Sequence, residues 1–249
     1  MNKKNKIWIV EILFTGIFLM IISGCTKKDS TSTPTPNGGT VTDVDGNVYH
    51  TVTLGTQVWL VENLRVTHYR NGDPIITGSL KADGALITDT TGKVYAYNNS
   101  VDNVKIYGRL YNWYTLGNAH TVAPNGCHVP NDIEWKTLSA YLNTTFGTAT
   151  SPDYGGIGGV MKESGTTHWL TPNTGATNQS GFSALPGGSF AYGVFSGLGS
   201  QCFFWTSTQV GTGTDQPAAW CINLNSNGII AYRVNPVKQY GVSVRCLKD

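Results

Sequence analysis

Charge is what this chain has least of. Only 13% of its 249 residues are Asp, Glu, Lys or Arg, against about 25% in ordinary soluble domains. The formal net charge of +2 belongs to the first residues. Removing Lys3, Lys4, Lys6 and Glu11 with a leader that ends at Gly24 equalises the basic and acidic counts, 17 and 15 in the whole chain. A neutral mature chain has no basic surplus to displace counterions from a polyanion, which excludes nucleic acid as a partner. Metal-binding patterns are missing too. There is no C-x-x-C, no H-x-H and no H-E-x-x-H, and His50, His68, His120, His128 and His168 are scattered, so no metal and no cofactor is expected. Ser180 lacks the Gly-x-Ser-x-Gly frame of a nucleophile elbow. Aromatic residues, by contrast, make up 11% of the chain, which excludes intrinsic disorder.

Apolar runs are short. Ile12 to Gly24 is uncharged and mostly apolar, with Glu11 on its N-terminal side, and it falls short of the ~20 residues a membrane-spanning helix needs. With Lys3, Lys4 and Lys6 ahead of it, residues 1–24 read as a signal peptide. Its end, Ile22-Ser23-Gly24-Cys25, has the form of a bacterial lipobox, so Cys25 is the expected lipidation site and the membrane the expected partner. Acyl chains contribute about 0.8 kcal/mol per buried methylene, enough in combination for stable anchoring. Thr26 after Cys25 is not an inner-membrane retention residue, which points to the outer membrane. Residues 25–40, rich in Thr, Ser, Pro and Gly, form a tether that holds the domain roughly 20 Å from the bilayer.

From Val41 onward, short β-like runs alternate with Gly, Asn and Asp turns. Thr42 to Tyr49 and Thr88 to Tyr95 repeat in outline and predict two hairpins. Val58-Trp59-Leu60-Val61 predicts a short buried strand. One helix is clear: Asn131 as N-cap and Glu134 at the capping-box position, then Trp135, Leu138 and Leu142 on one face. A helical turn is expected near Val160 to Glu163. The last quarter predicts a strand meander over Phe203–Thr208, Ala219–Leu224, Ile229–Val234 and Tyr240–Leu247. Trp59, Trp113, Trp135, Trp205 and Trp220 fit core patterns, whereas Trp169 falls in a loop-rich stretch, where it either anchors its loop or, exposed, stacks on a sugar ring.

Several of these segments resemble the Fibrobacter succinogenes major paralogous domain of Bacteroidetes-type lipoproteins. They are Asp45–Tyr49, Gln57–Leu64, Tyr107–Tyr114, Gly126–Trp135, Gly175–Gly188 and Tyr240–Cys246. The likeness covers residues 41–249. It departs from the family pattern at Ala123 and Cys127, where a Cys and a Trp are usual. A fainter likeness runs to the C-type-lectin-like superfamily and the formylglycine-generating enzymes. Its carriers are the Val-Pro-x-Asp-x-Glu-Trp helix start, Gly197 to Gly199, and Val244-Arg245-Cys246. That resemblance implies an α+β fold: a mostly antiparallel, twisted sheet with one clear helix and long, ligand-prone loops.

Once Cys25 is set aside, Cys127, Cys202, Cys221 and Cys246 remain, an even number in an exported chain, which favours disulfides. Three pairings are possible. A hairpin with Phe203 facing Trp220 sets Cys202 opposite Cys221. Cys127 with Cys246 then completes a nested arrangement like that of C-type lectins. The formylglycine-generating enzymes need a close reactive cysteine pair, which Cys202, Cys221 and Cys246 do not make, so a related oxidase or hydrolase is the alternative and a non-enzymatic domain the expectation. A purely structural surface subunit is the third reading. Calcium held near Asn178 lacks an acid at Gln179, and a structural turn is expected there. Weak recognition of a glycan or an envelope protein is the expected role, with Trp169 and Asp215 on the loops that would carry it.

Overall fold

The chain divides into two units, Met1–Thr31 and Ser32–Asp249. A computed structural model describes residues 38–78, 89–148, 154–211 and 217–249; the leader, Cys25, most of the tether, Thr88 and Asp215 lie outside the described residues. In chain order the strands begin with β1 (Thr40–Thr42), β2 (Val48–Leu54), β3 (Gln57–Leu60), β4 (Ile76–Thr77) and β5 (Lys93–Tyr95). Helix α1 (Val101–Tyr107), β6 (Leu110–Tyr111), α2 (Trp113–Leu116), β7 (Cys127–His128), α3 (Asp132–Phe146) and α4 (Gly158–Met161) follow. The rest is sheet: β8 (Gly187–Ala191), β9 (Val194–Leu198), β10 (Gln201–Gln209), β11 (Ala219–Asn225), β12 (Tyr232–Val234) and β13 (Leu247–Lys248). The architecture is mixed α and β, rich in sheet, and antiparallel except where β4 pairs with β5.

The first hairpin forms because Asp43 closes its turn. Its carboxylate accepts from the backbone N–H groups of Asp45 (3.0 Å) and Asn47 (2.9 Å) and from the Tyr49 hydroxyl (2.6 Å). β1, β2 and β3 continue into β13 and β7, so the last strand ties the N-terminal hairpins to the chain just before α3. That helix starts as its sequence predicts. Asn131 accepts from the N–H groups of Ile133 and Glu134, and Glu134 reaches back to the Asn131 N–H at 2.8 Å. Trp135, Leu138 and Leu142 are buried, and Gly147 ends the helix in the left-handed region at φ 61°, where the missing Cβ removes the steric cost.

Sheet β10-β11-β12 separates two cores. Cys202, Phe204, Ile222 and Leu224 face a cluster that holds Trp59, Trp135, Trp169 and Phe182. Trp205, Ala219 and Cys221 face the other, with Tyr49, Leu60, Tyr111, Cys127 and Cys246. The two are joined by Arg245, 1% exposed. Its guanidinium donates to Asn63 Oδ1 (2.7 and 3.0 Å), Leu60 O (3.1 Å) and Phe182 O (2.7 Å), and lies 4.4 Å from the Phe182 ring centre. Burial pushes its pKa down to about 10. A buried cation with no carboxylate is tolerable only when its donors are met and its face is packed. Asn63, Phe182 and Arg245 come from three of the segments that carry the family likeness, so that likeness encodes architecture.

Three expectations are corrected. The Thr88–Tyr95 stretch does not supply a second hairpin: β5 pairs with β4 in parallel and with β6. The end of the meander is broken, with ladder pairing limited to β12 and β13 and isolated bridges between. The hairpin register also differs, and with it the disulfides. Phe203 faces Asn223, Cys202 faces Leu224 and Cys221 faces Trp205. Cys202 and Cys221 therefore point into different cores. Cys127 lies opposite Lys248, two residues from Cys246, and such diagonal positions sit at about 7–8 Å, beyond the ~4.4–6.8 Å that a disulfide spans. All four are buried free thiols.

Candidate functional site: an uncharged aromatic groove

Trp169 is not available for stacking. It is 1% exposed, and its indole N–H donates to Ala184 O at 2.9 Å, so it anchors its loop: the ring plugs the core beneath, and the ligand-binding role expected of it is corrected. Asn178 is committed to a turn. Its Oδ1 accepts from the Ser183 N–H (2.9 Å) and its Nδ2 donates to Ser183 Oγ (2.8 Å). No group of three or more His, Cys, Asp or Glu able to hold a metal occurs among the described residues. Burial raises the thiols, Cys127 to about 11 and Cys202 to about 12, which leaves them protonated at neutral pH.

An open concavity lies elsewhere. A groove of about 500 Å³ is lined by Tyr69, Trp113 and Tyr114 on its aromatic side and by Thr90, Thr91 and Asn118 among its polar groups. Exposed Pro74 and Ile76 extend its rim. Every lining residue is uncharged.

One side chain joins its two walls. Asn112, 2% exposed, caps α2 by accepting from the Thr115 N–H (3.2 Å) and hydroxyl (2.9 Å). The same oxygen accepts from the Lys93 N–H (2.9 Å), and the amide donates to Thr91 O (2.8 Å). The wall that bears Thr90 and Thr91 is thereby fixed to the turn that bears Trp113 and Tyr114. Gly92 supplies the third approach, since a Cβ there would lie 2.3 Å from the Tyr69 hydroxyl. That is a position for glycine because the ring packs directly on backbone.

The indole is held from below by an irregularity in β10. Pairing with β11 shifts register between Trp205 and Gln209, and within the shifted stretch Thr206 O accepts from the Trp113 indole N–H at 2.9 Å. Such a bulge re-aims backbone groups at a site. Lys238 Nζ stands 4.1 Å from the Trp113 ring centre and donates to Gln209 Oε1 at 2.9 Å, so this cation braces the indole without lining the groove. Desolvation raises the Tyr69 and Tyr114 hydroxyls above their ordinary value, which keeps both as neutral hydrogen-bonding groups. The expectation that Trp113 belongs to the core is half met: it is partly buried and lines the groove. Its consecutive partner Tyr114 was the available signal, because two large aromatics in succession on a one-turn helix cannot both face inward.

The fold and groove define an α+β domain built around a dual core and bearing a neutral aromatic cleft. Residues 52–248 match the family model of the Fibrobacter succinogenes major domain. The chain belongs to that family. No curated protein and no solved structure matches it.

Proposed function

We propose that the protein is a non-enzymatic recognition protein of the cell envelope, anchored through Cys25 in the outer membrane, whose groove binds neutral carbohydrate. The observation that carries this reading is the lining itself: aromatic rings set among Thr90, Thr91 and Asn118, with no charged residue. Among the described lining residues there is no counter-charge for an ionic ligand. Asn118 accepts from the His120 N–H at 2.8 Å, but a wholly apolar ligand would still cover polar groups of the lining that water now reaches, at a cost of about 1–3 kcal/mol for each group left unsatisfied. A sugar presents an apolar ring face and peripheral hydroxyls together, which matches both demands.

Helix α3 beside antiparallel sheet, with a long loop-rich stretch between α4 and β8, supports a C-type-lectin-like scaffold. The buried, protonated thiols support the non-enzymatic side over a cysteine-dependent oxidase. Glycan-array screening of the purified protein, in a detergent without a sugar headgroup, tests the reading. Neutral glycans should bind, and Tyr114→Ala should weaken them by about tenfold, the equivalent of ~1.4 kcal/mol. Binding unaltered in Tyr114→Ala, or confined to charged glycans, would overturn it.

A further inference from the structure

We propose that the groove is one end of a longer track, with Tyr240 and Tyr192 as its second platform, and that the ligand is a linear neutral polysaccharide bound along its length. This rests on the carbohydrate reading of the groove. Backbone pairing makes the two platforms neighbours. The segment Lys238–Val242 begins as a turn, closed by the Tyr240 N–H donating to Val237 O at 3.0 Å, and then bridges β6 and β8 at Val242 and Gly241. Its Lys238 and Val242 carbonyls accept from the Trp113 and Tyr111 N–H groups (each 2.8 Å), and Gly241 exchanges two bonds of 2.8 Å with Phe190. Gln239, in the same segment, donates to the Tyr114 hydroxyl at 3.4 Å. The next residue, Tyr240, meets the Tyr192 ring edge-to-face, with ring centres 5.3 Å apart. Where Val242 and Gly241 bridge them, β6 and β8 lie two strand spacings, about 10 Å, apart. One sugar ring does not reach across that distance; a chain of linked rings does.

Tyr192 carries the second argument. It occupies the two-residue loop between paired Ala191 and Val194, with φ 51° followed by Gly193 at φ 82°. That conformation favours Asn-Gly, because both residues need the left-handed region, and a bulky side chain there is strained. The ring is nevertheless 61% exposed, so core packing does not account for a tyrosine at this position. Strain retained at an exposed aromatic is the pattern of a contact residue. The platform is also uncharged, as Tyr192, Gly193, Gln239 and Tyr240 show, so the neutral character of the groove continues along the track.

Titration calorimetry with the full-length protein tests the track, using disaccharides and hexasaccharides of cellulose, xylan, mannan and amylose as probes. The hexasaccharide of the preferred polymer should bind about two- to tenfold tighter than its disaccharide, the increment expected of one added aromatic contact. Tyr192→Asn should abolish that increment, leave disaccharide affinity unchanged, and hold or raise the Tm because the loop is relieved. Tyr240→Ala provides a second variant with the same expected loss. Affinity independent of chain length, or a full hexasaccharide increment in both variants, overturns the track while the groove reading stands. Disaccharide binding untouched by Tyr114→Ala, or no glycan binding at all, overturns the groove reading and the track with it.

Discussion

Lys162 shows how much of this protein rests on single polar side chains. It is fully buried, and its ammonium donates to the carbonyls of Thr174 (3.0 Å), Asn225 (3.1 Å) and Gly228 (2.9 Å). Desolvation pushes its pKa down to about 8. The three carbonyls belong to the loop after α4, to the end of β11 and to the turn that follows it, so one cation pins a long loop to the sheet. Lys162→Met removes the donor but leaves three buried acceptors, and should destabilise the fold by about 3 kcal/mol, read from the urea midpoint. Asn112 acts likewise at the groove. Asn112→Ala strands the Lys93 N–H and Thr91 O and should cost ~1–3 kcal/mol, with glycan binding reduced as the walls separate. Asn112→Asp keeps the acceptor for the Lys93 and Thr115 N–H groups but sets a buried carboxylate oxygen against Thr91 O, and should recover little of the stability. A groove that binds equally well in Asn112→Ala would show that its walls do not depend on this side chain.

At the scale of elements, α3 was legible from sequence because its signals are local: an N-cap, a capping box and apolar positions at helical spacing. The register of β10 on β11 was not, because the shift after Trp205 has no local signature. A three-residue difference there separates Cys202 from Cys221. Whether Trp169 anchors its loop or stands exposed is not legible for a related reason, since glycine-rich loops give no sign of whether they fold back over a core. The start of α3 also carries a pH-sensitive clasp. His128 lies between Glu134 Oε1 (2.8 Å) and Asp249 Oδ1 (2.6 Å). Burial alone would lower its pKa, but the hydrogen bonds to Asp249 and Glu134 outweigh that and raise it above 6.5. A pKa raised on folding means stability that is fully present below the unfolded value of 6.5 and lost as pH rises through the folded one. The side chain is 40% exposed, so solvent screening limits the effect to under ~1 kcal/mol. Urea midpoints should fall slightly from mildly acidic to mildly alkaline pH, and His128→Ala should flatten that slope. An unchanged slope in the variant would assign the pH dependence to other groups.

For the molecule as a whole, the proposed anchor and the proposed groove depend on each other. A shallow, neutral site that offers a few aromatic contacts and hydrogen bonds gives a weak monomer, because little desolvated charge is available to strengthen it. Attachment through Cys25 would set many copies on one surface. A polysaccharide that meets several such domains then binds through intramolecular steps, and avidity can exceed the single-site affinity by about 10²–10⁴ without any new contact. Cys25→Ala should release the protein from the membrane fraction or leave it uncleaved, while a single domain keeps the same weak affinity for a short oligosaccharide. Reconstituting the lipidated protein in vesicles at sparse and dense coverage separates the two contributions. Dense vesicles should retain the polymer at concentrations where sparse vesicles and the soluble variant do not, and a short oligosaccharide should compete only at high concentration. Equal retention at both densities would mean that one domain suffices, and that the membrane serves to place the site and not to multiply it.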